Sequence, residues 1–487
     1  MRYKTLQCFL LASTLQLLPA QKVLADDIQV FFNADVNAPA VKSDLEAKII
    51  ELIDQSQQTL DIAVYDIDLP NIATAIVNAK SRGVEVRVIT DNDNIGAENQ
   101  HALSILTNGG VPYIDDTADG TAGSGLQHNK LIVVDHRYVL AGSTNFTQSG
   151  IHGDLDAQGN LVSDGNDNHI LIIDSVQLAN EVSAQLDLMW GDGPGGVTDS
   201  LFGLSKPDHA VTTVYTTNDN IRIDVQFTPQ SKSNFQGSGI ETIENFVSTA
   251  QSEIDFAQFV ISSQDIADAA EIPNNNGATV RGIGDSSFFY RYYSEFQDML
   301  GNVILKDDGT EEVDSFTGAV NKPWTTPAQM RVASHLMGGD KWHHKYIRVD
   351  DKVLTGSHNA SGAASFTNDE TILIIYDAQT AAEFKGHFDL AFCLAGNEPD
   401  CVAPTYQGGT WEGISFTGAE VGVVMDIVNN ATLQQLDIDA AMNKRAADNI
   451  IAARPIETME QLEAVAYVGS AAMIDLKDYI AIWQSIN

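Results

Sequence analysis

The chain has 487 residues, of which 44% are hydrophobic and 19% charged, and a net charge of −39. That length rules out one ordinary core and sets an expectation of two or three domains, with the composition of a soluble globular protein. The acidity repels nucleic acid and anionic membranes at long range, but salt screens that field and a basic cleft can sit in an acidic shell.

In chain order, the first feature is a leader. Arg2 and Lys4 precede an apolar run from Leu6 to Pro19, and Val23-Leu24-Ala25 offers a small-residue cleavage site before Asp26. This reads as a secretory signal over 1–25; the run is short for a bilayer span and no other long apolar stretch follows. Cleavage there would remove Arg2, Lys4, Lys22 and Cys8 and no acidic residue. The two cysteines left, Cys393 and Cys401, are expected to bridge in an oxidising compartment and pin a local turn.

Strand and helix signals then alternate. Residues 28–32 read as a strand, 41–57 as a helix through the spacing of Leu45, Ile49, Ile50 and Ile53, and 60–65 as a strand. A helix over 71–81 closes at Gly83, a strand covers 84–90, and a helix over 97–106 ends at Gly109-Gly110. Strands are expected at 131–134 and 170–173, then a helix over 176–189. This alternation predicts an α/β sheet covered on both faces.

The pattern then repeats. Thr59–Tyr65 returns as Glu253–Phe259, and Val86–Asp91 returns as Val280–Asp285. The most informative pair comes next. His128-Asn129-Lys130 leads to Asp135, with Gly142-Ser143-Thr144-Asn145 beyond it; His343-His344-Lys345 leads to Asp350, with Gly356-Ser357-His358-Asn359 beyond it. The second half needs an insertion before its motif, and Phe288 to Thr326 is the natural place. The self-similarity argues for a duplicated domain, with two pseudo-symmetric lobes bringing equivalent strand ends face to face.

In an extended chain, residues two apart share a face, so His128 lies with Lys130 and His343 with Lys345. An imidazole beside an ammonium suits a phosphodiester: lysine neutralises nonbridging oxygens while one histidine attacks phosphorus and a second protonates the leaving oxygen. Ser143, Asn145, Ser357 and Asn359 are candidate donors to phosphate. Asp167 and Asp369, in Asn166-Asp167-Asn168 and Asn368-Asp369-Glu370, are candidates to accept from a histidine Nδ1 and fix its tautomer. Asp135 and Asp350 fall off the His/Lys side and read as organisers. His344 points away from His343 and reads as structural or surface. Asp154, Asp156 and Asp164 sit in a run with the opening of a calcium loop but without its closing glutamate.

The doubled H-x-K-x-x-x-x-D with its trailing G-S-x-N resembles the phospholipase D superfamily, over roughly Ile28 to Ala403. The resemblance implies metal-independent, two-step phosphodiester cleavage through a phosphohistidine, without a cofactor. It favours His128 as nucleophile and His343 as acid, with Lys130, Lys345, Asn145 and Asn359 on the phosphate. The expected organisation is a leader over 1–25, lobes over 26–205 and 206–405, a linker over 406–428 and a small all-α module over 429–487. That last segment resembles helix-hairpin-helix modules of DNA-binding proteins, with hairpin slots Ala441-Met442-Asn443 and Tyr467-Val468-Gly469 in which only Gly469 fits; its partner is not readable.

Three functions compete on this reading. The first is a secreted or periplasmic phospholipase D-type hydrolase of glycerophospholipid head groups, touching a membrane surface transiently. Phe288, Phe289, Tyr290, Tyr292, Tyr293 and Trp324 would then form either a lipid-facing rim or ordinary core. The second is an exported nuclease using the same site. The third, a non-catalytic phosphate-binding protein, is disfavoured because both motifs are complete.

Overall fold

The computed structural model describes residues 26–33, 43–96, 99–120, 125–156, 158–396, 408–454, 456 and 458–486. The leader over 1–25 and Cys401 lie outside the described residues. Cys393 is disulfide-bonded.

Two mixed sheets carry the chain. The first contains β1 (Ile28–Phe32), β2 (Thr59–Val64), β3 (Glu85–Thr90), β4 (Tyr113–Asp115), β5 (Lys130–Val134), β6 (Tyr138–Gly142) and β7 (His169–Asp174). The second contains β8 (Thr212–Tyr215), β9 (Arg222–Phe227), β10 (Glu253–Gln258), β11 (Thr279–Gly284), β12 (Gln329–Val332), β13 (Lys345–Val349), β14 (Lys352–Gly356) and β15 (Thr371–Tyr376). Strand order is β1-β7-β6-β5-β2-β3-β4 in the first sheet, and β12-β11-β10-β13-β14-β15-β9-β8 in the second. Read from opposite ends these are the same sequence of strands, with β8 added as an edge. The repeat extends to side chains: Arg87 pairs with Asp61 at 2.6 Å and Arg281 with Asp255 at 2.7 Å, across matching parallel registers.

Alternation along the strands divides the apolar residues between layers. In β5, Leu131 and Val133 join the core shared by the two lobes, while Ile132 and Val134 face the outer core of the first. Helices Leu45–Asp54, Pro70–Ser81 and Gln100–Asn108 close that outer face. Gly239–Val247 and Gln264–Asn275 do the same for the second lobe. Between the sheets lie the long helices Val176–Trp190 and Ala378–Ala395, whose Leu178, Val182, Phe384 and Phe388 fill the shared core. The insertion of the second half lies between β11 and β12. Its Phe289 and Trp324 are core, whereas Tyr290 and Tyr292 are exposed.

The segment expected to be a linker is largely ordered structure. Gly409–Trp411 pairs with Ile414–Phe416, and the helix Gly418–Asn430 starts on a capping box made by Thr417 and Glu420. Phe416, Val424 and Val428 share one core with Ile450, Leu462 and Trp483, so the C-terminal module begins before residue 429. The Gly- and Thr-rich composition hides this, although the Thr-x-x-Glu box is present in the sequence. Ala441 and Tyr467 take positive φ at the two hairpin positions, where a side chain is strained. No helix among the described residues is long and apolar enough to cross a membrane.

Candidate active site

The two His/Lys pairs sit where the lobes meet. Just before β5, His128 N donates to Asp369 O at 2.9 Å and Asp369 N donates to Leu126 O at 2.8 Å. Just before β13, His343 N donates to Asp167 O at 2.9 Å and Asp167 N donates to Lys341 O at 2.9 Å. Each lobe thus lends a short parallel bridge to the histidine strand of the other. These bridges decide which side chain meets each ring. His128 Nδ1 bonds Glu370 Oε2 at 2.8 Å, and His343 Nδ1 bonds Asn168 Oδ1 at 2.9 Å.

Asp369 and Asp167, expected to orient the histidines, therefore do not. Each is one residue out of phase. Asp369 turns away to an ion pair with Lys206 at 2.7 Å and accepts from Gly203 N. Asp167 accepts from His344 Nε2 at 2.8 Å and His387 Nε2 at 3.2 Å. In an extended segment a slip of one residue reverses the face. The slip cannot be seen from one lobe's sequence, because the partner strand belongs to the other lobe.

With Nδ1 engaged, each ring's Nε2 is the nitrogen left for chemistry. The rings are held edge-on against aromatic faces, His128 against Tyr65 at 5.0 Å and His343 against Phe259 at 4.9 Å. The same faces carry the ammonium groups, with Lys130 Nζ 5.0 Å from the Tyr65 ring and Lys345 Nζ 5.2 Å from that of Phe259. Each lysine also donates to the carbonyl of its own histidine, at 2.6 Å and 2.8 Å. Sequence reasoning passed over Tyr65 and Phe259, although both end the repeated strand motif.

Burial and crowding of positive charge govern the proton affinities. Burial pushes His128 down to about 4, against the opposing pull of Glu370. His343 is driven well below the usual imidazole range by burial, then by Lys345, Lys130 and His128. Burial lowers Lys130 to about 7 and Lys345 well below the usual lysine range. The two interlobe bridges and the Nδ1 contacts that cross between the lobes bring both His/Lys pairs to one seam, where the charges of one lobe act on those of the other. An anion entering there meets a desolvated positive site that strengthens every contact.

Two further carboxylates support the motif strands, again at equivalent positions. Asp91, after β3, accepts from Gln127 N at 2.7 Å, and Asp285, after β11, accepts from Trp342 N at 2.9 Å. Burial lifts Asp91 to about 7. The remaining predicted residues divide by role. Ser143 Oγ donates to Asn168 Oδ1 and Ser357 Oγ accepts from Thr371 N, so these buried hydroxyls brace strand ends, and the Ser143 proton is already committed. Asn145 and Asn359 each have a buried, unpartnered Oδ1. Asp135 accepts from the backbone of Gln57, Gln58 and Thr59, and Asp350 from that of Gln251, Ser252 and Glu253. His344 is fully buried, and His358 Nε2 is taken by Ser365 Oγ at 2.9 Å.

The calcium reading of Asp154, Asp156 and Asp164 is corrected. Asp156 spends its oxygens on Gln158 N and Asn160, and the three carboxylates do not converge; among the described residues the one group with metal-ligand spacing is Asp167, His344 and His387.

Parts of the chain are similar to known proteins. A stretch of 101 residues is 37% identical to a mitochondrial cardiolipin hydrolase of Xenopus tropicalis, covering 21% of this chain and 45% of that protein. Another is 33% identical over 101 residues to a phospholipase D of Rickettsia prowazekii, covering 21% of this chain and 46% of that one. The chain thus spans about half the length of these relatives. Among solved structures, the phosphatidylserine synthase of Haemophilus influenzae is similar over 74% of this chain and 85% of its own, at 14% identity and a TM-score of 0.48. The matches that cover both halves, residues 49–190 and 243–391, show that this chain belongs to the family described as cardiolipin synthase, PLD-like domain.

Proposed function

We propose that the chain is a phosphodiesterase of phospholipase D type that hydrolyses phospholipid head groups outside the cytoplasm. The observation that carries this reading is the pair of His/Lys sets in one interlobe cleft, with Nδ1 of each ring held by the opposite lobe. The relatives named cardiolipin hydrolase and phospholipase D support a lipid substrate. The disulfide at Cys393 supports an oxidising compartment.

The two histidines differ in their supports, and the roles follow. Glu370 stabilises the positive ring that forms when His128 Nε2 bonds to phosphorus, so His128 is the nucleophile. Asn168 offers His343 a neutral acceptor and no such stabilisation. In the first step the P–Nε2 bond forms, the P–O bond to the head group breaks, and His343 gives its Nε2 proton to the departing oxygen. In the second, His343 takes a proton from water as the water oxygen bonds phosphorus and the P–N bond breaks. His343 needs a proton for the first step. Substrate supplies the condition, because its negative charge offsets Lys130 and Lys345, two of the causes that depress His343.

The test is parallel incubation of the protein with phosphatidylcholine vesicles and with plasmid DNA, scoring free choline and nicking. Choline without nicking is expected. Nicking without choline would transfer the same chemistry to nucleic acid, and neither product would remove the reading.

A further inference from the structure

Directly behind the cleft lies a second polar cluster that the proposed hydrolysis does not use. Asp167 Oδ1 faces His344 Nε2 at 2.8 Å and His387 Nε2 at 3.2 Å, and the three ligand atoms lie within 4.8 Å of one another. All three side chains are buried, at 2%, 0% and 3% exposure. Asp167 comes from the first lobe, and His344 and His387 from the second.

We infer that Asp167, His344 and His387 form a site for a divalent transition-metal ion of the zinc class, which clamps the two lobes together behind the catalytic pair.

Donor chemistry, orientation and surroundings support this. Two imidazole nitrogens and a carboxylate oxygen are the donors zinc accepts, in a number that leaves a fourth position open. Both rings have the far nitrogen engaged, His344 Nδ1 with His169 Nδ1 at 2.9 Å and His387 Nδ1 with the Tyr346 hydroxyl at 3.2 Å. Such outer partners fix the tautomer and aim Nε2 at a metal. The rings are also packed in place. His387 is stacked on Phe32 at 4.2 Å, with Trp342 at 5.7 Å, and the Trp342 ring stands over His344 at 4.6 Å. The outer partners can reverse direction. A tyrosine hydroxyl donates or accepts, and His169 can turn its donor to Thr355 Oγ1 at 2.6 Å. Both histidines can therefore move their proton from Nε2 to Nδ1 as an ion enters. Trp342 Nε1 and His335 Nδ1 are buried beside the cluster and unpartnered.

The position gives the ion a purpose. Asp167 is followed by Asn168, which orients His343, and His344 follows His343 itself. An ion joining Asp167 to His344 would fix the bridge on which the His343–Asn168 contact depends.

The full chain, produced in zinc-supplemented medium, would be analysed for metal by elemental analysis after gel filtration. One zinc per chain is expected. Exchange with Co²⁺ should give the visible bands of a low-symmetry site. Stripping with dipicolinate should lower the melting temperature by several degrees, and Zn²⁺ should restore it. His387→Gln and Asp167→Asn should abolish metal retention. If either variant fails to fold, the measurements on the unaltered protein decide. Only trace metal, with no response of melting temperature or spectrum to added Zn²⁺ or Co²⁺, would overturn the inference and leave a hydrogen-bonded cluster. Hydrolysis plays no part in this readout, so a metal-loaded protein inactive on both lipid and DNA would refute the proposed function and leave the clamp standing.

Discussion

The distinction between two equivalent histidines rests on one side-chain difference, Glu370 on His128 and Asn168 on His343. Glu370→Gln should therefore lower kcat on the order of 10²-fold and affect KM little, because the lost stabilisation arises only as phosphorus bonds to Nε2. Asn168→Asp is not the mirror change; it adds a carboxylate to the acid and alters the pH profile. His128→Ala and His343→Ala should each cost at least about 10³-fold in turnover of bis(p-nitrophenyl) phosphate, and residual turnover near wild type in either would remove that histidine from the mechanism. The pH dependence of kcat/KM follows from the free enzyme. Nucleophilic His128 is deprotonated above about 4, so the acid limb should not lie near the ordinary imidazole value. The acid His343 must carry a proton, and burial with Lys345, Lys130 and His128 holds it well below the usual imidazole range, so the alkaline limb should begin below that range and steepen as Lys130 loses its charge through about 7. A profile centred between about 6.5 and 10, where unperturbed histidine and lysine titrate, would contradict the burial that sets both values. At this scale the motif residues are legible in the sequence because each carries its chemistry locally. Glu370 and Asn168 are not, since what selects them over Asp369 and Asp167 is a register between strands of different lobes.

Among the elements, the strand-to-strand hairpins and the crossover between lobes do work that the chemistry hides. Asp135 and Asp350 each gather three backbone N–H groups at the far end of a motif strand, the turn before β2 in one lobe and before β10 in the other. Asp350→Asn should cost about 1–3 kcal/mol in urea denaturation and leave kcat within a few-fold. Burial works against the Asp350 charge, but the N–H groups of Gln251, Glu253 and Ser252 prevail and hold its carboxyl below the usual range. Its contribution is therefore complete above the ordinary carboxylate value and disappears as pH falls through the lower, folded one, so the gap between wild type and variant should close in acid. The crossover is tied down by Lys206, whose ammonium lies 2.7 Å from Asp369, both side chains being almost wholly buried. Removing one member of such a pair leaves an isolated buried charge, so Lys206→Met should cost roughly 3–5 kcal/mol in the first unfolding transition, and adding Asp369→Asn should recover part of that loss. A variant as stable as wild type would show that the pair does not hold the lobes. Strands β1, β2, β3, β5 and β7 and the longer helices of the first half are legible because alternation and helical spacing are strong there, and β10 and β11 follow from the repeat. The hairpin and helix over 409–430 are not, since their apolar residues are spaced by glycine and threonine and gain meaning only against Leu462 and Trp483 far downstream.

Over the whole molecule, two scales of electrostatics oppose each other. The chain carries a net charge of −39, while the cleft gathers Lys130 and Lys345 with two neutral histidines. The distant field lowers the concentration of any anion near the surface; the buried lysines attract it once it arrives. These contributions respond differently to salt. Repulsion between exposed charges acts over a Debye length and is screened away, whereas a contact in a desolvated cleft is screened far less. Raising salt from about 0.02 to 0.5 M should therefore increase kcat/KM for the singly charged bis(p-nitrophenyl) phosphate several-fold, mainly through KM. The response should be larger for a substrate of higher charge and absent for kcat under saturation. A protein that meets polyanions through a basic surface behaves in the opposite way, losing affinity steeply as counterions compete. The slope of kcat/KM against salt thus discriminates where the net charge alone does not. A steep fall with salt on plasmid DNA would reveal a basic docking track outside the cleft and favour nucleic acid. A rise for every anionic substrate would mean that the only attraction lies at the interlobe site, which suits a phosphodiester presented on a zwitterionic lipid surface.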